Sequence, residues 1–307
     1  MENPTSFYTS NHKFITSFIL FRRKLLRRRD ETLNIGIIGT GNMGNILIDA
    51  FLETRAVKPS CLTIINRTPA KAYHIKEKYP SVHIAKTIDK VIERSHLIFI
   101  CVKPIDIYPI LQKYAEHFSD EKCLVSITSP ISPSQLETLV PCHVARIIPS
   151  ITNRALSGAS LFTFGNNCSE EWQQKLFRLF KNISTPLVIK EDITRVSSDI
   201  ASCGPAFFSY LLQCFINAAV DKTNITHEEA TTLVSEMVVG MGELLEKGIF
   251  TLPTLQEKVC VKGGVTGEGI RVLEEHVGDM FHKLIERTHE KFDEDLKCVD
   301  QQFNKHT

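Results

Sequence analysis

Between residues 33 and 51 an apolar run gives way to glycines and then to a helix-spaced pattern. Leu33-Asn34-Ile35-Gly36-Ile37-Ile38 is rich in β-branched residues, and Gly39-Thr40-Gly41-Asn42-Met43-Gly44 follows at once. Ile46, Leu47, Ala50 and Phe51 then recur at helical spacing. Strand, glycine turn, helix is the order in which a Gly-x-Gly-x-x-Gly run binds a dinucleotide. Gly39 permits the tight turn, Gly41 lets the backbone approach a pyrophosphate, and Gly44 lets the helix pack close to the strand. The helix start then offers free N–H groups and a positive dipole end to the phosphates. A purely structural glycine turn is the plainer alternative, and the flanking strand and helix argue against it. Gly39, Thr40, Gly41, Asn42, Met43 and Gly44 are therefore expected to bind cofactor.

The next apolar run, Leu62-Thr63-Ile64-Ile65, ends at Asn66-Arg67-Thr68. A site built for NAD places an acid about twenty residues beyond the glycines to hold the ribose 2′-hydroxyl. This chain has a guanidinium and two small polar groups there. A carboxylate would repel a 2′-phosphate, whereas Arg pairs with one. The expectation is NADP(H), with Asn66, Arg67 and Thr68 in contact; the alternative is that Arg67 is a solvated surface residue.

Further strands are expected near residues 82–84, 97–102, 123–127, 144–148, 160–164 and 186–189, giving about eight between 33 and 190. The run 97–102 is continuously apolar, as buried parallel strands are. It ends in Val102-Lys103-Pro104, which should lie beside the cofactor, because open α/β sheets bind ligands beyond the carboxyl ends of their strands. After residue 191 helical periodicity takes over, at 206–220, 227–246 and 267–292, with Thr226 as a helix N-cap and Gly248 as a helix stop. The fold class is α/β: a Rossmann-like doubly wound sheet domain followed by an all-helical dimerisation domain. The expected divisions are 1–31, a basic leader; 32–190, the NADP-binding domain; 191–292, the helical dimerisation and substrate domain; and 293–307, a tail.

A length of 307 residues fits about two domains at roughly 150 residues each. The 36 Lys+Arg and 35 Asp+Glu leave a net charge of +1, without the basic excess of a nucleic-acid binder. The nine cysteines include no CxxC pair, which argues against a disulfide framework or a thiolate metal site, so no metal is expected and the setting is read as intracellular. Residues 1–29 carry one acid, Glu2, against Lys13, Arg22, Arg23, Lys24, Arg27, Arg28 and Arg29. This composition is that of a mitochondrial presequence or of a basic leader without an address; the location expected is cytoplasmic, or mitochondrial in the first case. Residues 200–220 are uncharged, but Gln213, Asn217 and Pro205 within them favour a helix covered inside an assembly over a membrane span.

Over residues 32–290 the chain resembles pyrroline-5-carboxylate reductase. The resemblance rests on Ile38-Gly39-Thr40-Gly41-Asn42-Met43-Gly44, Ile100-Cys101-Val102-Lys103-Pro104, Arg146-Ile147-Ile148-Pro149, Ser202-Cys203-Gly204-Pro205-Ala206 and Lys262-Gly263-Gly264-Val265-Thr266. It implies reduction of a cyclic imine to proline with NAD(P)H, and a homodimer or higher homo-oligomer intertwined through the helical domain. It also implies that Ser150, Gly263, Gly264, Val265 and Thr266 bind substrate, with Thr266 as the catalytic hydrogen-bond partner of the imine nitrogen; the alternative for Thr266 is a helix N-cap.

The substrate half departs from the family pattern. Pro-Asn-x-Pro becomes Pro149-Ser150-Ile151-Thr152. Ser-Gly-Ser-Gly-Pro-Ala becomes Ala201-Ser202-Cys203-Gly204-Pro205-Ala206, and Ser-Pro-Gly-Gly becomes Val261-Lys262-Gly263-Gly264. The chain is thus expected to be a divergent member: an NADP(H)-dependent oxidoreductase acting on a C=N or similar small carboxylated substrate, or a catalytically weak NADP(H)-binding dimer that senses redox state or binds a partner. Lys262 is expected exposed and Cys203 buried and inert.

Overall fold

The structure is a computed structural model that describes residues 33–304; the basic leader lies outside the described residues. Chain order runs β1 (Ile35–Ile38), α1 (Asn42–Glu53), β2 (Leu62–Ile65), α2 (Pro69–Lys78), β3 (His83–Ile84), α3 (Ile88–Glu93), β4 (Leu97–Ile100) and α4 (Pro104–Tyr114). Then come β5 (Cys123–Ser126), α5 (Pro133–Glu137), β6 (His143–Ile148), a 3₁₀ turn (Ile151–Ala155), β7 (Ala159–Phe164), α6 (Glu170–Phe180) and β8 (Thr185–Val188).

All eight strands form one sheet in the order β3-β2-β1-β4-β5-β6-β7-β8. Every pairing is parallel except β6 with β7. Parallel strands need helical crossovers, which bury both faces, so β1, β4 and β5 are buried along their whole length. One face packs Phe51, Phe99, Phe162 and Phe180, with ring centroids 5.3 to 6.0 Å apart. The other packs Val91, Ile92, Ile107, Leu111, Phe118 and Ile131. The connections from β1 lead outward to β2 on one side and, through β3, to β4 on the other. A crevice therefore opens beyond the carboxyl ends of β1 and β4.

The remaining elements are helical: α7 (Thr194–Ser198), a π-helical turn (Asp199–Cys203), α8 (Gly204–Lys222), α9 (His227–Glu246), α10 (Leu252–Val259), α11 (Val265–Val277) and α12 (Met280–Asn304). Thr226 caps α9 in a reciprocal box with Glu229, and Gly248 follows it at φ +65. Two departures from the sequence reading stand out. The expected helix over 267–292 is two helices broken at Gly278. Residues 293–304, read as tail, continue α12, and Val299 is buried at 2% exposure in the sheet-domain core. Phe303 stacks edge-on to Tyr108 of α4 at 5.0 Å, Gln135 donates to Asp300 at 2.9 Å, and Gln302 donates to the Ile105 carbonyl at 3.1 Å. The last helix thus straps the helical half to the sheet.

A second tie is Arg146, 1% exposed at the centre of β6. Its guanidinium donates to both carboxylate oxygens of Glu191, at 2.9 and 2.7 Å, and to Thr194 at 2.6 Å. It also reaches the Ser129 carbonyl at 3.1 Å and the Thr163 hydroxyl at 3.2 Å. The two terminal nitrogens of the fork pair the buried charge with Glu191 and fix where the helical half leaves the sheet.

Candidate functional site

The crevice is floored by the glycine turn. Gly39 has φ +100, and a Cβ there would lie 2.7 Å from the Cys101 carbonyl oxygen. Its N–H bonds the Ile65 carbonyl at 2.9 Å, and Cys101 N–H bonds Ile38 at 2.8 Å, so the turn is pinned to both neighbouring strands. A Cβ on Gly44 would sit 2.3 Å from the Gly39 oxygen. That close approach brings α1 down onto the turn. Gly41 faces open space. It precedes α1 without closing the helix with a side chain, and no acid occupies the first turn. The leading N–H groups of α1 are free for an anion.

A cavity of about 370 Å³ adjoins this turn, lined by Thr40, Gly41, Asn42, Asn45, Ala70, Lys71 and His74. Thr40 is fully buried and its hydroxyl has no partner. An orphaned hydroxyl, an open glycine and a free helix start fit a dinucleotide pyrophosphate. Asn42 and Met43 open α1 as expected. Lys103 precedes α4, and Pro104 is its first residue. Val102 lies against Gly39 at the carboxyl end of β4, 3.0 Å from where a Cβ would stand.

The three residues that follow β2 differ in what they touch within the chain. Asn66 accepts from the Thr40 N–H at 2.9 Å and donates to the Thr68 carbonyl at 2.9 Å; it braces the turn with its amide. Thr68 stands at the start of α2 with Pro69 behind it, and its side chain makes no capping bond. Arg67 is exposed and is not among the residues that line the cavity. Asn45, Lys71 and His74 do line it, and the sequence reading passed over them. Their signal was positional: Lys71 and His74 fall on the first turns of the helix after β2.

The substrate motifs are partly assembled. The Ser202 hydroxyl, in the π-helical turn, donates to the Pro149 carbonyl at 2.9 Å. The two rewritten motifs thus lie side by side. Ser150 is 1% exposed, and its hydroxyl accepts from the Thr152 N–H at 3.3 Å and the Thr152 hydroxyl at 3.0 Å. Asn153, absent from the sequence reading, is fully buried and accepts from the Ser150 N–H at 2.8 Å. Cys203 is half-buried and receives the Arg195 guanidinium at 3.4 Å, which corrects the expectation of a sequestered thiol. Arg195 also pairs with the buried Asp199 at 2.9 Å, and Asp199 accepts from Thr288 of α12 at 2.8 Å.

Gly263, Gly264, Val265 and Thr266 are not among the residues that line the cavity at the glycine turn. They form the turn into α11, with Gly264 before its first residue and Thr266 second in the helix. Thr266 is therefore not an N-cap. Val265 is 88% exposed, and Lys262 is exposed as expected.

Comparison with known proteins places these features. Residues 191–295 match the family described as pyrroline-5-carboxylate reductase dimerisation, and 34–130 match that described as NADP oxidoreductase coenzyme F420-dependent. ComE operon protein 4 of Bacillus subtilis is 55% identical over 272 residues, 89% of this chain and all of that protein. Pyrroline-5-carboxylate reductase 3 of the same organism is 28% identical over 84% of this chain and 95% of its own. The chain belongs to the pyrroline-5-carboxylate reductase family. The fold agrees: the crystal structure of the Plasmodium falciparum pyrroline carboxylate reductase with NADP bound superposes with a TM-score of 0.74 at 20% identity, over 88% of this chain and 98% of that one. Among the described residues, Glu191–Lys222 is long and apolar enough to cross a membrane by length and composition; in this reductase family the same stretch opens the dimerisation region.

Proposed function

We propose that the protein is an NADP(H)-dependent reductase of a C=N bond in a small carboxylated substrate, working as a homodimer or larger homo-oligomer. The observation that carries this reading is the cradle at Gly39, Gly41 and Gly44, open toward a cavity in which Lys71 and His74 are the ionisable side chains. When bound, NADPH supplies the hydride. The chain's own residues bind and orient. The first N–H groups of α1 hold the pyrophosphate, and Val102, Lys103 and Pro104 wall the nicotinamide side of the crevice. The backbone N–H groups of Gly263, Gly264 and Val265 receive the substrate carboxylate. The Thr266 hydroxyl hydrogen-bonds the imine nitrogen, favouring its protonated and more electrophilic form. A second copy delivers that turn, a reading supported by the dimerisation match over residues 191–295.

Pyrroline-5-carboxylate itself is a poor substrate on this reading. The Ser150 hydroxyl is buried and accepts from Thr152 twice, which holds it within its own loop, and Cys203 stands where the family has Ser. Each lost hydrogen bond to a charged group costs roughly 1.5–3 kcal/mol. The same observation supports a second reading, an NADP(H)-binding dimer with little turnover. The test is NADPH oxidation with pyrroline-5-carboxylate and a panel of cyclic imino acids, beside Thr266→Ala. Turnover of one other imine, reduced at least tenfold in Thr266→Ala, is expected. Efficiency with pyrroline-5-carboxylate above about 10⁴ M⁻¹s⁻¹, within the ordinary enzyme range, would restore the plain family activity. Tight NADPH binding with no turnover across the panel would select the second reading.

A further inference from the structure

The hydrogen-bond ladder of α4 is interrupted by its own sequence. Pro109 stands inside the helix. A proline has no N–H, so the carbonyl four residues back loses its partner within the helix. That carbonyl belongs to Ile105, and the Gln302 amide of α12 donates to it at 3.1 Å. The contact is one of a set. Phe303 meets the Tyr108 ring edge-on at 5.0 Å, the Gln135 amide donates to Asp300 at 2.9 Å, and Val299 is buried in the same cluster as Ile107 and Leu111. All four α12 residues lie beyond 191–295, the stretch that matches the dimerisation family. Nearer its start α12 reaches the π-helical turn, where Thr288 donates to the buried Asp199 at 2.8 Å. From Thr288 to Gln302 the helix spans about 21 Å at roughly 1.5 Å per residue. One helix therefore touches both α4 and the turn that carries Ser202 and Cys203.

Resting on the reading above, in which Val102, Lys103 and Pro104 wall the nicotinamide side of the crevice, we infer that residues 296–304 are a strap that positions the start of α4 against the nicotinamide end of the coenzyme, with Gln302 and Phe303 as its positioning residues. Pro104 and Ile105 are the first two residues of α4, and Lys103 precedes them. Without the Gln302 amide the Ile105 carbonyl has no donor from α12, and Pro109 prevents α4 from supplying one. The first turn of α4 is then free to tilt, and the wall of the crevice moves with it. The adenosine end lies on the other side of the glycine turn. β2 and β4 flank β1 on opposite sides, and a pyrophosphate at the start of α1 sends the adenosine toward β2 and the nicotinamide toward β4. The strap therefore bears on one half of the coenzyme only.

The experiment measures binding to the full-length assembly by titration calorimetry, with NADPH and with 2′,5′-ADP, which lacks the nicotinamide end. Gln302→Ala/Phe303→Ala is expected to weaken NADPH at least fivefold and 2′,5′-ADP less than twofold. Gln302→Ala alone, in the last turn of α12, is expected to show the same selectivity with a smaller loss, and it keeps the test open if the double variant does not fold. Adding Pro109→Ala, at an exposed position, should return NADPH binding to the wild-type value, because α4 then supplies its own N–H to Ile105. Pro104→Gly frees the first residue of α4 directly and should reproduce the selective loss. Equal weakening of both probes in the strap variants overturns the inference, since general loosening spares neither half. So does unchanged NADPH binding in them, and so does a Gln302→Ala loss that Pro109→Ala leaves in place. The reading on which it rests fails separately: Pro104→Gly would then leave NADPH binding untouched, or wild-type protein would bind neither probe.

Discussion

At the scale of single residues, burial decides what the polar groups can do. Ser150 looked like a substrate contact in the sequence, yet it is enclosed and engaged by its own loop. Thr40 is enclosed as well, but its hydroxyl has no partner within the chain. Cys142 shows the same logic in a titratable group. It is 1% exposed, and burial pushes its thiol from the ordinary 9.0 up to about 12. Below pH 9 folded and unfolded chains both hold the proton. Between 9 and 12 the unfolded chain releases it and the folded chain does not, so stability falls as pH rises, by at most about 1.4 kcal/mol per pH unit. Denaturant midpoints measured from pH 8 to 11 should fall more steeply for wild type than for Cys142→Ala. Parallel profiles would show that the thiol is not coupled to folding.

At the scale of elements, the 3₁₀ turn Ile151–Ala155 between β6 and β7 is held by one side chain. Asn153 accepts from the Ser150 N–H at 2.8 Å and the Ser160 hydroxyl at 3.1 Å, and donates to the Ser157 carbonyl at 2.9 Å. Arg154 then clamps the turn to α1 by a two-pronged pair with Glu53 at 2.7 and 2.8 Å. Removing a buried partner leaves the others desolvated and unsatisfied, at about 1–3 kcal/mol for each group. Asn153→Ala is expected to lower the denaturant midpoint with an unchanged slope. Arg154→Ala, at an exposed pair, should cost about 1 kcal/mol or less. Equal effects of the two substitutions would deny the amide its role.

At the scale of the whole molecule, one chain is visibly incomplete. On α8 only Gly204 and Ile216 are buried, while Phe208 and Phe215 are 58% and 63% exposed. Met237 and Val239 on α9, and Val272 and Leu273 on α11, are exposed as well. Contiguous apolar surface of this kind marks an interface, and the dimerisation match covers the same helices. Sedimentation should show a dimer or larger species at micromolar concentration. Phe208→Glu/Phe215→Glu should shift it toward a smaller or aggregated species, because charged groups cannot be buried unpaired in an apolar contact. A soluble, folded wild-type monomer would contradict both this and the delivery of Thr266 by a second copy.

The sequence alone determined what depends on neighbours in the chain. The strand, glycine turn and helix at 33–51 were legible because their periodicities and turn chemistry are local. Strands β1, β4 and β5 were equally legible, because buried parallel strands are continuous apolar runs. The cap at Thr226 and the stop at Gly248 were legible from the residue types that satisfy helix ends. Tertiary structure decided whatever depends on which distant groups meet. It buried Ser150, turned Asn66 into a brace and left Arg67 outside the cavity. It brought Lys71 and His74 to the cavity wall and continued the supposed tail as a helix docked on α4. Hydrogen-bond partners a hundred residues apart, such as Glu53 and Arg154, leave no periodic trace in a single sequence. Burial, which decides whether a hydroxyl is spent or free, exists only once the chain has closed around it.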